Sequence, residues 1–197
     1  MNKILVLYPK LFNCYSKFSR KIVKIISKLD NVTIVYPSDP NDFIAKISKQ
    51  EVSITDTLVC EDWSVNDVTH AIVFDDGEEF DDEVNRLIAD GIVVRQIKIA
   101  ITRVINLKID TDKNKPNREY IGRGSYWGNP YSMYENGDDR EEVIRKFKYD
   151  FDYEKFPNKE KSEVHKLAGK RLACFCKPQA CHGDVLADFL NSWDDGK

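Results

Sequence analysis

Several signals that would classify a chain at once are missing or scarce in this one. No run of about 18 apolar residues occurs, which argues against a membrane-spanning helix, and the opening MNKILVLYPK carries no signal-peptide cleavage pattern. A cytoplasmic protein without a membrane partner is therefore expected. Lys and Arg number 30 against 33 Asp and Glu, a formal net charge of −3. That near-balance excludes a whole-molecule basic field for gripping nucleic acid nonspecifically, although a local basic patch stays open. The five cysteines are an odd set, with Cys14 and Cys60 isolated and Cys174, Cys176 and Cys181 bunched. Such spacing is not a disulfide framework; it suits reduced thiols with one chemical cluster. Glycine is scarce at nine residues, and the segment PKLFNCYSK after the first apolar run contains none. The phosphate-cradling G-x-G-x-x-G turn is thereby excluded from that position, and a bound dinucleotide is not supported.

What is present falls into two halves. From 1 to 108 short aliphatic runs alternate with amphipathic stretches, the pattern of βα units on a parallel sheet. KILVLY (3–8), NVTIVYP (31–37), THAIVFDDG (69–77) and IVVRQIKI (92–99) read as strands. SKFSRKIVKIISKL, with Ser16 as its N-cap, PNDFIAKISKQ and FDDEVNRLIADG, closed by Gly91, read as helices. The expected fold class is α/β: a small Rossmann-like parallel-sheet domain over 1–108 and a compact α+β module over 109–197. Ligands of such sheets sit beyond the carboxyl ends of the strands, here after Tyr8, Tyr36 and Phe74. Asp75, Asp76, Glu78 and Glu79 in one of these loops suit a ribose hydroxyl or a divalent cation, or simply form a solvated acidic turn.

LKIDTDKNKPNRE (107–119) is polar and aperiodic and reads as a linker or long loop. Beyond it the composition changes. DDREEVIRKFKYDFDYEKF, KSEVHKLAGK and the segment after KPQACHGD read as helices, and RLACFC as a strand. Three of the nine glycines fall within YIGRGSYWGNPY, residues 120–131. Gly122, Gly124 and Gly128 permit close backbone approach to a ligand, Arg123 offers a bidentate fork for phosphate, and Ser125 can donate to the same oxygens. Trp127 and Tyr126 present π faces to a base or sugar, and Asn129 an amide to a polar edge. Arg140 sits near a helix N-terminus, against the dipole, and is expected to fold back toward Arg123. A tight structural turn with Trp127 and Tyr126 plugging the core is the competing reading.

The second block is CFCKPQACHGD. Cys174, Cys176, Cys181 and His182 form a candidate Cys₃His zinc site, although the spacing is not that of common zinc fingers. In another reading the helix N-terminus binds an anion, His182 acts as general acid or base and Asp184 orients it or serves as base. In a third, the cysteines are buried packing residues. His165, on a short polar stretch, is expected to be solvated.

YIGRGSYWGNPY, REEVI, GKRLACFC and CHGDVLADFLN together resemble the bacterial and phage family catalogued as domain of unknown function 4326, over about residues 112–192. The resemblance implies a phage or prophage origin, and so the host cytoplasm, but no activity. HAIVFDDG followed by a helix and GIVVRQIKI resembles the Rossmann-like nucleotide-sensing domains related to DNA-processing protein A and lysine decarboxylase-like proteins. The absent glycine-rich loop departs from that pattern. The expected function is binding of a nucleotide or phosphorylated-sugar ligand by Gly122, Arg123, Gly124, Ser125, Trp127, Gly128, Asn129 and Arg140. Cleavage or transfer at an N-glycosidic or phosphoester bond would then fall to His182 and Asp184, as in a nucleotide or nucleoside hydrolase or a glycosyl-transfer enzyme. Alternatives are a nucleotide sponge and a zinc-stabilised nucleic-acid or protein interaction module. An anti-defence role against host signalling nucleotides follows by analogy, action on modified nucleic acid likewise, and a homo-oligomer is compatible with the sequence.

Overall fold

A computed structural model describes residues 2–110, 117–134 and 137–196. The chain forms two compact units, one holding the residues up to Ile99 together with those from Ser192 onward, the other Ala100–Asn191. The division thus falls before the boundary expected after residue 108, and the last residues return to the first unit.

The first unit runs β1 (Asn2–Leu7), α1 (Tyr15–Ile26), β2 (Val32–Tyr36), α2 (Phe43–Ile47), β3 (Ile54–Val59), β4 (His70–Asp75), α3 (Asp81–Ala89) and β5 (Val93–Lys98). Its five strands lie in the order β3-β2-β1-β4-β5, every neighbouring pair parallel. This is the Rossmann-type order, in which the chain reverses direction across the sheet between β1 and β4. The central strands are apolar because helices cover both faces: Ile4, Leu5, Val6 and Leu7 are buried, as are Ala71, Ile72, Val73 and Phe74. On α1, Phe18, Ile22 and Ile26 recur every fourth residue and are likewise buried. The strand β3 lies at an edge and buries only Ile54 fully, so its sequence ITDTLV shows no clear strand pattern.

One expectation for this unit needs correction, and of the two readings of its acidic loop the plain turn is the one favoured. Helix α1 starts at Tyr15 after Cys14, with no side-chain cap; Ser16 Oγ lies 3.4 Å from Cys14 Sγ. The acidic loop after β4 is occupied with its own backbone: Asp75 Oδ1 accepts from the Gly77 N–H at 2.7 Å, and Asp76 Oδ1 from those of Glu78 and Glu79. At the reversal point Phe12 stacks on Phe74, centroids 5.1 Å apart, and Tyr8 stacks on Phe43 at 5.5 Å. The first loop, lacking glycine, packs aromatic rings where related sheets bring backbone against phosphate.

The second unit runs β6 (Arg103–Asn106), β7 (Arg118–Tyr120), α4 (Arg140–Asp152), a 3-10 segment Lys161–Leu167, β8 (Arg171–Cys174) and α5 (His182–Ser192). Its three strands are parallel in the order β6-β8-β7, so β8 is central and Leu172, Ala173 and Cys174 are buried. The core joins Ile121, Trp127, Phe147, Phe151, Leu186 and Leu190. The stretch KSEVHKLAGK, read as a helix, is the 3-10 segment. Strand β7 begins in the segment read as a linker and ends at Tyr120, the first residue of the glycine block; residues 111–116 of that segment lie outside the described residues.

One polar clamp closes this unit. Buried Asn191 accepts from the Thr102 N–H at 2.8 Å and donates to the Thr102 carbonyl at 3.0 Å. Thr102 Oγ1 in turn accepts from the Gly169 N–H at 3.0 Å. Replacing Asn191 with Leu leaves a buried donor and acceptor unpaired, at about 1–3 kcal/mol. The expected result is a lower melting temperature than wild type, measured by circular dichroism, with Asn191→Asp, which buries a carboxylate against the Thr102 carbonyl, at least as affected as Asn191→Leu.

Candidate functional site

The site grows from the loop that follows β7. The Ile121 N–H continues the sheet by donating to the Ala173 carbonyl at 3.0 Å. The chain then makes two consecutive turns: the Ser125 N–H donates to the Gly122 carbonyl at 3.1 Å, and the Gly128 N–H to the Ser125 carbonyl at 3.0 Å. Gly124 sits at φ +86°, where an L side chain is strained. A Cβ on Gly128 would lie 2.6 Å from the Gly122 carbonyl oxygen, so the loop closes on its own backbone. The glycines serve the loop's self-approach rather than the approach of a ligand.

Its polar and aromatic members are committed in the same way. Ser125 Oγ donates to the Gly122 carbonyl at 2.8 Å. Asn129 Nδ2 donates to the Val143 carbonyl on α4 at 3.1 Å, and its Oδ1 accepts from the Tyr131 N–H at 2.9 Å. Trp127 is 5 % exposed and packs edge-on against Phe151. Its expected stacking on a base is corrected: the ring belongs to the core.

Arg123 differs from its neighbours. It is exposed and lines a small cavity of about 140 Å³ together with Arg140, as the fold-back expectation had it. Arg140 Nη1 donates to the Ala180 carbonyl at 3.2 Å. Asn129, Tyr131, the three clustered cysteines and His182 also face this cavity. Among the described residues no carboxylate lines it, and two guanidinium groups supply its cationic charge. The volume is below the roughly 300 Å³ at which pockets begin to enclose drug-sized molecules. It fits a phosphate or part of a sugar, not an entire nucleotide.

The cavity floor is built where β8 ends and α5 begins. Cys174 closes β8 and Cys181 immediately precedes α5. The three sulfurs of Cys174, Cys176 and Cys181 lie within 4.8 Å of one another, a grouping able to hold a metal ion. The helix start is reciprocally capped: the Gly183 N–H donates to Cys181 Sγ at 3.4 Å, and the Cys181 N–H to Asp184 Oδ2 at 2.9 Å. Hydrogen bonding from Cys181, with help from Cys176 and nearby backbone, holds the Cys174 thiol down to about 5. The Cys181 thiol is pushed up by its hydrogen bond to Cys174 and by burial, and burial likewise raises Cys176.

His182 is 5 % exposed and its Nε2 lies 2.8 Å from the Ile121 carbonyl. A carbonyl only accepts, so Nε2 carries the proton and Nδ1 the lone pair. Nδ1 lies 3.7 Å from Cys181 Sγ. Burial lowers the imidazole's affinity for a second proton, leaving it neutral. The expected pairing of His182 with Asp184 does not form: the other Asp184 oxygen binds Lys177 Nζ at 2.7 Å, and the Ile121 carbonyl orients the ring. Asp184 is therefore a capping residue. His165 packs its ring against Phe189 instead of standing in solvent, centroids 5.7 Å apart.

Tyr131 was not singled out for its part here. Its hydroxyl donates to Asp150 Oδ2 at 2.5 Å, and that bond, with burial, makes the phenol a weaker acid, its pKa pushed up to about 12. Its position beside Asn129, at the end of the glycine block, was the available signal.

Residues 1–105 match the family described as Minimal SLOG domain, and residues 105–192 the one described as Domain of unknown function (DUF4326). The chain is also similar to the "Uncharacterized 12.4 kDa protein in nrdA-td intergenic region" of Enterobacteria phage T4. The two are 39 % identical over 94 residues, 46 % of this chain and 79 % of the phage protein. No solved structure matches. No helix among the described residues is long and apolar enough to cross a membrane.

If Asp184 caps rather than catalyses, Asp184→Ala lowers stability by about 0.5–2 kcal/mol, the cost of losing a helix cap. Thermal denaturation should register that loss, while Asp184→Asn, still able to accept the Cys181 N–H, loses less. Ligand affinity of the Asn variant should stay within twofold of wild type.

Proposed function

The chain belongs to the minimal SLOG domain family, matched over residues 1–105, and its residues 105–192 match the family of domain of unknown function 4326; from this premise we propose that it binds a nucleotide-derived ligand by its phosphate. One observation carries the reading: Arg123 and Arg140 line one small cavity without a neighbouring carboxylate. Guanidinium pairs of this kind suit phosphate because planar N–H donors meet its oxygens in pairs. The cavity volume suits the phosphate or a phosphorylated sugar, with the base outside. A SLOG-type unit, nucleotide-related by family, in the same chain supports a nucleotide over an unrelated anion.

Catalytic and non-catalytic forms of this reading separate at His182. In a nucleotide or nucleoside hydrolase, or a glycosyl-transfer enzyme, the Nδ1 lone pair would take a proton on the cavity side. In a sponge the same pocket retains the ligand and His182 only joins the loop to α5. We favour binding, because the partner that would strengthen His182 as a base, Asp184, is engaged elsewhere. A phage relative is compatible with action in a host cytoplasm, and host signalling nucleotides enter the reading by analogy alone.

A second reading, a zinc-stabilised interaction module for nucleic acid or protein, is favoured by the cysteine cluster. Zinc is the fitting ion there, since thiolate donors favour it over Mg²⁺ or Ca²⁺.

A thermal-shift screen of nucleotides, nucleotide sugars and inorganic phosphate tests the proposal. Stabilisation of the wild-type protein is expected. Arg123→Ala and Arg140→Ala should each weaken binding about tenfold or more, as losing a charge-assisted hydrogen bond worth about 1.5–3 kcal/mol implies. Arg123→Ala should leave the ligand-free melting temperature unchanged. A wild-type protein that no nucleotide or phosphate stabilises would overturn the reading.

A further inference from the structure

The three clustered cysteines come from different places: Cys174 from the central strand, Cys176 from the turn after it, Cys181 from the residue before α5. Ordinary packing does not need three sulfurs to meet. Yet Cys174 Sγ and Cys176 Sγ are 3.5 Å apart, and all three lie within 4.8 Å. Thiolates bound to one tetrahedral zinc at about 2.3 Å stand about 3.8 Å from each other. Little movement is needed to bring the trio to that spacing.

His182 is the obvious fourth ligand, and its Nδ1 lies 3.7 Å from Cys181 Sγ. Its Nε2–H bond leaves the Nδ1 lone pair available, as in a ligating histidine, so what sets the imidazole apart is its placement. Its Nε2–H donates to the Ile121 carbonyl, and its ring meets Phe147 edge-on with centroids 5.0 Å apart. The group whose ligand atoms all lie within 4.8 Å of one another contains the three cysteines and not His182. Asp184, the nearest carboxylate in sequence, is bound to the Cys181 N–H and to Lys177. The donor set therefore supplies three ligands, and Cys174, Cys176 and Cys181 all border the cavity of Arg123 and Arg140. A closed structural zinc site fills all four positions from protein; a site with three protein ligands keeps one for an exogenous group.

We propose that Cys174, Cys176 and Cys181 hold one zinc ion whose fourth position opens onto the Arg123–Arg140 cavity and takes an oxygen of the bound phosphate. The zinc centre stands on the sulfur geometry alone, while the phosphate oxygen rests on the binding reading above. His182 is a positioning residue, fixing the loop against the helix start from which Cys181 projects.

The test uses the full chain purified without chelator. Elemental analysis should find one zinc per chain. Cobalt substitution should give a thiolate-to-cobalt charge-transfer band and the visible bands of a tetrahedral ion. Cys176→Ser, at the half-buried position, should lower zinc affinity at least tenfold and weaken the charge-transfer band. His182→Gln, which retains a side-chain donor, should leave the cobalt spectrum unchanged. Inorganic phosphate should shift the visible bands, and Arg123→Ala should suppress that shift with the metal retained.

A folded wild-type chain that takes up neither zinc nor cobalt overturns the centre, even if nucleotides still stabilise it and the binding reading stands. A His182→Gln spectrum as altered as that of Cys176→Ser means a closed four-ligand site, which overturns the open position. Phosphate that stabilises the protein without moving the cobalt bands also overturns it. Stoichiometric zinc in a chain that no nucleotide or phosphate stabilises leaves the centre intact and removes both the binding reading and the phosphate oxygen.

Discussion

The contact on which the second unit's chemistry depends is the hydrogen bond from His182 Nε2 to the Ile121 carbonyl. It joins the glycine-rich loop to the first turn of α5, two segments 61 residues apart. Around it the packing leaves no slack: a Cβ on Gly183 would meet Ile121 Cδ1 at 2.4 Å and Val104 at 3.3 Å. Ile121 is wholly buried, so the helix start and the loop seat against each other as one piece. Cys181 precedes His182 directly, and Arg123 follows Ile121 by two residues. Cys181 and Arg123 thus stand at the two ends of one hydrogen bond.

The two units use parallel sheets toward different ends. In the first, rings of Tyr8, Phe12, Phe43 and Phe74 occupy the carboxyl ends of the central strands, and Asp75 and Asp76 serve their own turn. In the second, the carboxyl end of the central strand carries Cys174, and the next residues build the floor of a cavity. Both follow the rule that the carboxyl edge of a parallel sheet gathers the loops. Only in the second does that edge display groups whose charge and softness call for a partner.

Elements with strong periodicity were legible in the sequence: the aliphatic runs of β1, β2 and β4, and α1 and α4, whose apolar residues fall every fourth position. The acidic start DDREE holds the α4 cap, Asp139 accepting from the Glu142 N–H at 2.8 Å. Three strands were not legible. β3 is an edge strand with mostly exposed positions, β7 has three residues, and β6 has four partly buried ones that look like a continuation of β5. Their identity comes from pairing with distant partners, Arg103 with Arg171 and Arg118 with Arg171, which a local window does not contain. At the site, the glycine block and the cysteine cluster were found by density of chemistry, and Arg123 with Arg140 by an unexplained charge. What stayed hidden was the assignment of Ser125 and Asn129 to the loop's own construction, and which of the two readings of Trp127 holds, because residue type does not reveal which way a side chain turns.

The return of the chain's end to the first unit has a topological meaning. Arg20 forks onto Asp194 through two bonds of 2.7 and 2.9 Å, and Lys17 meets Asp195 at 2.9 Å, fastening the end of the chain to α1. The second unit is therefore an insertion, leaving the first after Ile99 and rejoining it at Ser192. The two crossings are thus unequal: a cut after Ser192 would leave the covalent link at Ile99 intact, whereas a cut after Ile99 would leave only the non-covalent hold of the last residues, whose ion pairs each contribute little.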